Sequence, residues 1–310
     1  MDRVTIFGAG HVGATTAFYL AISAGLEIAL VDIEAGKATG LAMDIEQALP
    51  FTGSSSHLEG GPDYGLVEGS DLVVVTAGFA RMPGMSRTDL TQKNAPIISE
   101  ICRAVAKKAP EAVLLVVTNP LDEMTYVAWQ SSGFEHSRVM GMAGVLDTSR
   151  FVYFLHRLAG LEPRDVNTMV LGSHGDEMAP LVDWSKAADR PLSEALQADT
   201  LAGVVQRTRD GGAEIVGHLG AGSAYYAPAV AISTMALAIL GDTGRVLPVS
   251  AYLSGQYGIE GIFLGVPAAL GREGVREILE LPLSEQELAG LRDAASRVNR
   301  RVSELGADWR

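Results

Sequence analysis

Apolar residues fall along this chain in two rhythms. Short, mostly apolar runs at residues 3–7, 27–31, 72–75 and 112–117 have the length and β-branched content of strands buried on both faces. Between them, apolar residues recur at helical spacing over 12–24, with Gly25 as its expected C-cap, and over 34–49, which stops before Pro50. A weaker strand signal covers 55–59. A long helix is predicted over about 86–108, where Ser86 and Asp89 form a capping pair and Pro96 is expected to introduce a kink. Strand and helix alternate in this way up to Gly141, which predicts an α/β fold with a doubly wound parallel sheet.

From about Met142 the rhythm changes. GVLDTSRF at 144–151 opens a helix that continues through Phe154, Leu155 and Leu158. A strand is predicted over 166–171, helices over 194–219 and 224–240, and strands over 246–253 and 261–264. A closing helix over 284–305 sets Leu288, Leu291, Ala295, Val298, Val302 and Leu305 on one face. No repeat, low-complexity tract or long linker interrupts the chain. The expected organisation is residues 1–141 as one domain and 142–310 as a second, α+β domain, packed as one unit.

Composition narrows the classes of function. The chain has 310 residues and a formal net charge of −13, which disfavours nucleic acid and anionic membranes as partners. No apolar run reaches the roughly 18–20 residues that span a bilayer. The single cysteine, Cys102, excludes an intrachain disulfide and any multi-cysteine metal site, and in a helix it reads as a small buried hydrophobe. The first residues enter a strand with no charged-then-apolar leader, so a cytoplasmic location is expected.

The chemistry begins at the first strand-to-helix turn, GAGHVG at 8–13. Gly8, Gly10 and Gly13 allow a tight turn in which phosphate can approach backbone N–H groups at a helix N-terminus. Ala9, His11 and Val12 complete this candidate phosphate-binding turn, the His11 side chain being incidental to it. Asp32, 19 residues beyond Gly13 at the end of the second strand, can accept hydrogen bonds from an adenosine ribose. Strand, glycine motif, helix, strand and acid in this order make the first domain Rossmann-type. Asp32 would repel a 2′-phosphate and Ile33 offers no charge to hold one, which points to NAD rather than NADP.

Four other places carry polar residues suited to chemistry. The segment AGFARMPGMSRTDL at 77–90 sets Arg81 and Arg87 six residues apart around Pro83 and Gly84, as either a solvated loop or a cationic lid. Asn119 ends a central strand, where open α/β sheets place their ligands. Asp147 and Arg150 share one face of a helix, as a surface ion pair or as part of a site. Among the six histidines, His174 alone lies in a glycine-flanked loop beside a carboxylate, and is a candidate general base.

These motifs together resemble the lactate/malate dehydrogenase family, in particular its lactate-dehydrogenase-like malate dehydrogenase branch. GAGHVG, VDI, TAGFARMPGMSR, VTNP, GVLDTSRF, GSHGDEM, GSAYYAPA and VLPVSAYLSGQYGI occur in the order and spacing of that branch, nearly end to end. The resemblance implies reversible NAD-dependent oxidation of (S)-malate to oxaloacetate, a reaction of the tricarboxylic acid cycle. It makes His174 the proton acceptor and donor, Asp147 the group that orients it, and Arg150 the clamp on the substrate's C1 carboxylate. Arg87 would polarise the reacting carbonyl and Asn119 would hydrogen-bond it, while Asn94, Val117, Thr118 and Asn119 would add cofactor contacts. Lactate-specific relatives typically carry glutamine where this chain has Arg81, so Arg81 would meet the second carboxylate of a dicarboxylate. Small Ser223 and Ala224 opposite the loop would leave room for it.

The resemblance further implies a homodimer or homotetramer and no metal. Lactate or another 2-hydroxy acid is the alternative substrate. A catalytically silent NAD sensor would not need His174, Asp147, Arg150, Arg87 and Asn119 together. A metal-dependent NAD glycosidase would need cysteine and histidine ligands, and Cys102 has no histidine near it in the sequence.

Overall fold

A computed structural model describes residues 1–80, 84–175, 177–220, 222–305 and 309. Its first half alternates β1 (Asp2–Phe7), α1 (His11–Ser23), β2 (Leu26–Val31), α2 (Ala35–Ala48), β3 (His57–Gly61), β4 (Leu72–Val75), α3 (Arg87–Lys108), β5 (Val113–Val116), α4 (Leu121–Ser132) and β6 (Val139–Gly141). The strands run parallel in the order β3-β2-β1-β4-β5-β6, the doubly wound arrangement, because runs such as Leu72–Val75 and Val113–Val116 are buried on both faces and need helices above and below. Register then decides what meets at one edge. Phe7 pairs with Val31 and with Val75, Val75 with Val116, and Val116 with Gly141. The turns leaving these strands therefore bring the glycine motif, Asp32, the segment after Thr76 and Asn119 to the same carboxyl edge.

The second half contains α5 (Gly144–Ala159), β7 (Val166–Asn167), β8 (Val170–Gly172), β9 (Met178–Pro180), β10 (Lys186–Ala187), β11 (Arg190–Pro191), α6 (Leu192–Ala195), α7 (Ala198–Leu219), α8 (Tyr226–Leu240), β12 (Val246–Ser254), β13 (Glu260–Gly271), β14 (Gly274–Ile278) and α9 (Glu285–Ser303). β12 pairs antiparallel with β6, and β13, β8 and β9 follow, so one sheet of eleven strands among the described residues runs through both halves. α8 packs on α1, and the main apolar core extends from Val4 and Ile6 to Leu291 and Val298 without a break. A smaller cluster around Phe151, Phe154, Val170 and Val204 joins α5 and α7 to β8.

Three local expectations are corrected. Gly25 is not a left-handed cap: α1 ends on extended Ala24, and a Cβ on Gly25 would meet only the rotatable hydroxyl of exposed Ser55, at 2.6 Å. The run 166–171 splits into β7, which joins a separate three-stranded sheet, and β8, which joins the main one. The helix expected over 194–219 is broken where Leu196 and Gln197 turn extended between α6 and α7. The long helix α3 carries Pro96 in its interior, as read from the sequence. Its start is as expected: the Ser86 hydroxyl accepts from the Asp89 N–H and the Asp89 carboxylate from the Ser86 N–H, a cap worth about 1 kcal/mol that sets Arg87 as the first helical residue.

Candidate active site

The glycine turn is shaped to receive a dinucleotide phosphate. Gly8 has φ +102°, and a Cβ on Gly13 would lie 1.9 Å from the Gly8 carbonyl oxygen, so the turn closes only with glycine at both positions. At Gly10, by contrast, a Cβ would meet nothing within 4 Å, which leaves the backbone open on that side. Gly10 is also the N-cap of α1 and provides no side-chain cap, so the first helical N–H groups keep their capacity for an anion. The Asp32 carboxylate braces the turn by accepting from the Ala9 N–H at 2.7 Å and the Glu34 N–H at 3.0 Å. Thr76, just beyond β4, locks it by donating to the Phe7 or Gly8 carbonyl, at 3.1 and 3.0 Å. His11 stacks on Tyr225 with ring centroids 5.0 Å apart, which brings the segment preceding α8 over the glycine motif.

The next two turns are tied to each other by Asn94. Its carboxamide is fully buried, accepts from the Phe79 N–H at 2.8 Å and donates to the Phe79 and Asn119 carbonyls at 3.2 and 2.7 Å. Its side chain, expected as a cofactor contact, is thus spent on the backbone and shapes the cleft through Phe79 and Asn119. Thr118, also buried, donates to the Ala77 carbonyl at 2.7 Å, and Val117 is half-buried. Asn119 itself is exposed, with a cis peptide bond to Pro120, and its carboxamide has no hydrogen bond among the described residues. Arg81 lies outside the described residues.

His174 leaves the end of β8 and meets a carboxylate from α5. Its Nδ1 is 2.8 Å from Asp147 Oδ2, and Asp147 is 1% exposed. The Thr148 hydroxyl accepts from the Val170 N–H at 2.9 Å, which holds α5 against β8 and fixes this spacing. Arg150 donates from Nη1 to the other Asp147 oxygen at 3.2 Å, while its buried Nε has no partner among the described residues. One carboxylate thus orients an imidazole and a guanidinium together, and the guanidinium keeps donor capacity in hand. The surface ion pair that helix spacing alone allowed is ruled out by the burial of Asp147.

Arg87 differs from expectation. Its guanidinium turns to Glu123 of α4, with Nε at 3.2 Å and Nη2 at 3.4 Å from the two carboxylate oxygens. Glu123 belongs to a buried polar network absent from the sequence reading. Arg301 of α9 donates to Glu123, forks onto Glu177 at 3.0 and 2.9 Å, and reaches the Ser173 hydroxyl at 3.3 Å. Ser173 and Ser250 each donate to fully buried Asp122 at 2.7 Å. Burial pushes the Asp122 carboxyl up to about 6, and the neighbouring Glu123 adds to the rise. Burial likewise pushes the Cys102 thiol up to about 12, which keeps it protonated and inert. Among the described residues no group of three His, Cys, Asp or Glu side chains could hold a metal ion, and no helix is long and apolar enough to cross a membrane.

Comparison with known proteins gives a consistent picture. Residues 2–141 match the family model of the lactate/malate dehydrogenase NAD binding domain, and residues 144–307 that of the lactate/malate dehydrogenase alpha/beta C-terminal domain. The malate dehydrogenase of Methanosarcina acetivorans is 47% identical over 306 residues, covering 99% of this chain and 100% of that protein. Among solved structures, malate dehydrogenase from Archaeoglobus fulgidus in complex with NADH superposes with a TM-score of 0.89 at 38% identity, over 98% of this chain and 99% of that one. The lactate dehydrogenase of Cryptosporidium parvum, complexed with lactic acid and NAD, superposes with a TM-score of 0.94 at 35% identity, over 98% and 99%. Backbone likeness alone therefore does not separate the two substrates.

Proposed function

The chain belongs to the lactate/malate dehydrogenase family, and from that premise we infer that it is an NAD-dependent malate dehydrogenase, interconverting (S)-malate and oxaloacetate. The observation that carries the chemistry is the His174–Asp147 contact of 2.8 Å with Arg150 on the same carboxylate. NAD, when bound, supplies the hydride acceptor for one direction and the donor for the other.

In this reading His174 takes the C2 hydroxyl proton of malate on Nε2 and returns it in reduction. Asp147 holds Nδ1 protonated, so that Nε2 faces the substrate, and stabilises the imidazolium that forms. Arg150 grips the C1 carboxylate, and its unpartnered buried Nε supports that role. Arg87 polarises the C2 carbonyl, and Asn119, exposed at the carboxyl edge, hydrogen-bonds the same oxygen. Gly8, Ala9, Gly10, His11, Val12 and Gly13 cradle the pyrophosphate, Asp32 takes the ribose, and Val117, Thr118 and Asn119 border the nicotinamide end. Asn94 acts there indirectly. We assign NAD binding to residues 1–141, which also lend Arg87 and Asn119 to the reaction, and the proton acceptor and carboxylate clamp to 142–310, in a cytoplasmic homodimer or homotetramer.

Substrate choice rests on Arg81. Enclosing its guanidinium over a methyl group leaves a charge without a partner, which costs several kcal/mol, about a factor of ten in rate for each 1.4 kcal/mol. Oxaloacetate should therefore drive NADH oxidation, followed by absorbance, at least about a hundredfold more efficiently than pyruvate. Arg81→Gln should remove most of that preference while turnover on pyruvate persists. Equal efficiencies on the two acids in the unaltered protein would sink the substrate assignment.

A further inference from the structure

Arg87 cannot serve the substrate where it now sits without changing partners, and its present partner is a buried carboxylate. The Glu123 side chain is 1% exposed, so leaving it bare would be prohibitive. The two Arg87 contacts, 3.2 and 3.4 Å, are long for charge-assisted hydrogen bonds, whose ordinary range is about 2.7–2.9 Å. Glu123 has a second, closer donor in Arg301, which approaches the same oxygen. Arg301 is itself fixed by its fork onto Glu177 and its contact with Ser173. Arg87 is not walled in: with Thr91, Gln92, Ala95 and Arg301 it lines a cavity of about 320 Å³ between α3 and the end of the chain.

We propose that Glu123 is a positioning residue for the reaction: it holds Arg87 in the ligand-free enzyme, competes with the oxo-acid for it, and releases it because Arg301 remains as its counter-charge. The proposal rests on the assignment of Arg87 to the reacting carbonyl. The charges around Glu123 support such an exchange. Arg87 faces it from α3, Arg301 from α9 and Asp122 from the same turn of α4, while Glu177 meets it only through Arg301. When Arg87 leaves, Glu123 keeps Arg301, which it shares with Glu177, and Glu177 has a second cation in Arg297 at 3.7 Å. Without Arg301 the same departure would strand a charge. Glu123 thus lowers the apparent affinity for substrate, and Arg301 limits how much.

Steady-state kinetics on the full-length protein test this through two variants with opposite signs. Glu123→Gln, isosteric and still able to accept from Arg301, should lower the KM for oxaloacetate by about three- to tenfold and keep kcat within about twofold. Arg301→Gln should raise that KM by a similar factor, and the rise should vanish when Glu123→Gln is also present. An unchanged or raised KM in Glu123→Gln overturns the proposal. A rise in Arg301→Gln that persists in the double variant also overturns it, since Arg301 would then act through Ser173 and Glu177 on the His174 loop. Arg87→Gln separates this failure from that of the underlying assignment. A kcat loss of about a hundredfold or more keeps Arg87 at the carbonyl whatever Glu123 does. An unchanged kcat removes both the assignment and the proposal.

Discussion

Replacing Asp122 by asparagine turns the buried network into a measurement of stability against pH. Burial pushes this carboxyl from an ordinary 3.8 up to about 6; Glu123 adds to the rise, and hydrogen bonds from Ser173 and Ser250 and the charge of Arg87 oppose it. The folded protein keeps the proton up to about pH 6, whereas the unfolded chain releases it near 3.8. Stability associated with this site therefore falls as the pH rises through that window, and the full penalty, roughly 3 kcal/mol, stands above it. Asparagine carries no such penalty. It can accept from one serine and donate to the other as the protonated acid does, losing about 1 kcal/mol where the bulkier amide fits the two serines less well. Asp122→Asn should thus be about 2 kcal/mol more stable than the unaltered protein at pH 8 and close to equal at pH 4.5. Equilibrium urea unfolding of both proteins at the two pH values, at one protomer concentration and ionic strength, reads the difference directly. A difference that stays the same at both pH values, or grows as the pH falls, refutes the reasoning.

Two further outcomes follow from the geometry. Asp147→Asn leaves the shape of the site but removes the charge shared by His174 and Arg150, so kcat should fall by about 10²–10⁴ while the Kd for NADH, measured by fluorescence titration, stays unchanged; a loss below tenfold would show that Asp147 does not orient the base. Gly13→Ala puts a Cβ 1.9 Å from the Gly8 carbonyl, so the turn must open, and NADH affinity should drop at least about tenfold with a stability loss of about 2 kcal/mol or more. Unaltered NADH binding in that variant would mean the turn does not hold the phosphates.

The central network also explains why Arg87 and His174 belong to one mechanical unit. Arg301 grips the His174 loop at Ser173 and Glu177 and, through Glu123, the first residue of α3. Asp122 ties the same Ser173 to Ser250 of β12. The loop that carries His174 is therefore anchored to three separate elements by side chains, where its backbone alone would leave it exposed to solvent motion.

What the sequence determined by itself is whatever depends on covalent neighbours. The apolar runs of β1, β2, β4 and β5, the glycine turn with Asp32, and the Ser86–Asp89 cap were legible because a buried parallel strand, a tight turn and a helix end each impose local rules on consecutive residues. His174 and Asn119 stood out for the same reason, one in a glycine-flanked loop and one at a strand end, and the choice of Arg81 over glutamine is readable only as sequence. Pattern could not say that 166–171 divides between two sheets, since both halves are equally strand-like and only their partners differ. Nor could it say that Asn94 turns inward to the backbone. Helix spacing could not decide that the Asp147–Arg150 pair is buried, nor could any local signal place Arg301 on Glu123 from 178 residues away. Burial and charge compensation depend on distance through space, and only the tertiary structure fixes which guanidinium stands beside which carboxylate.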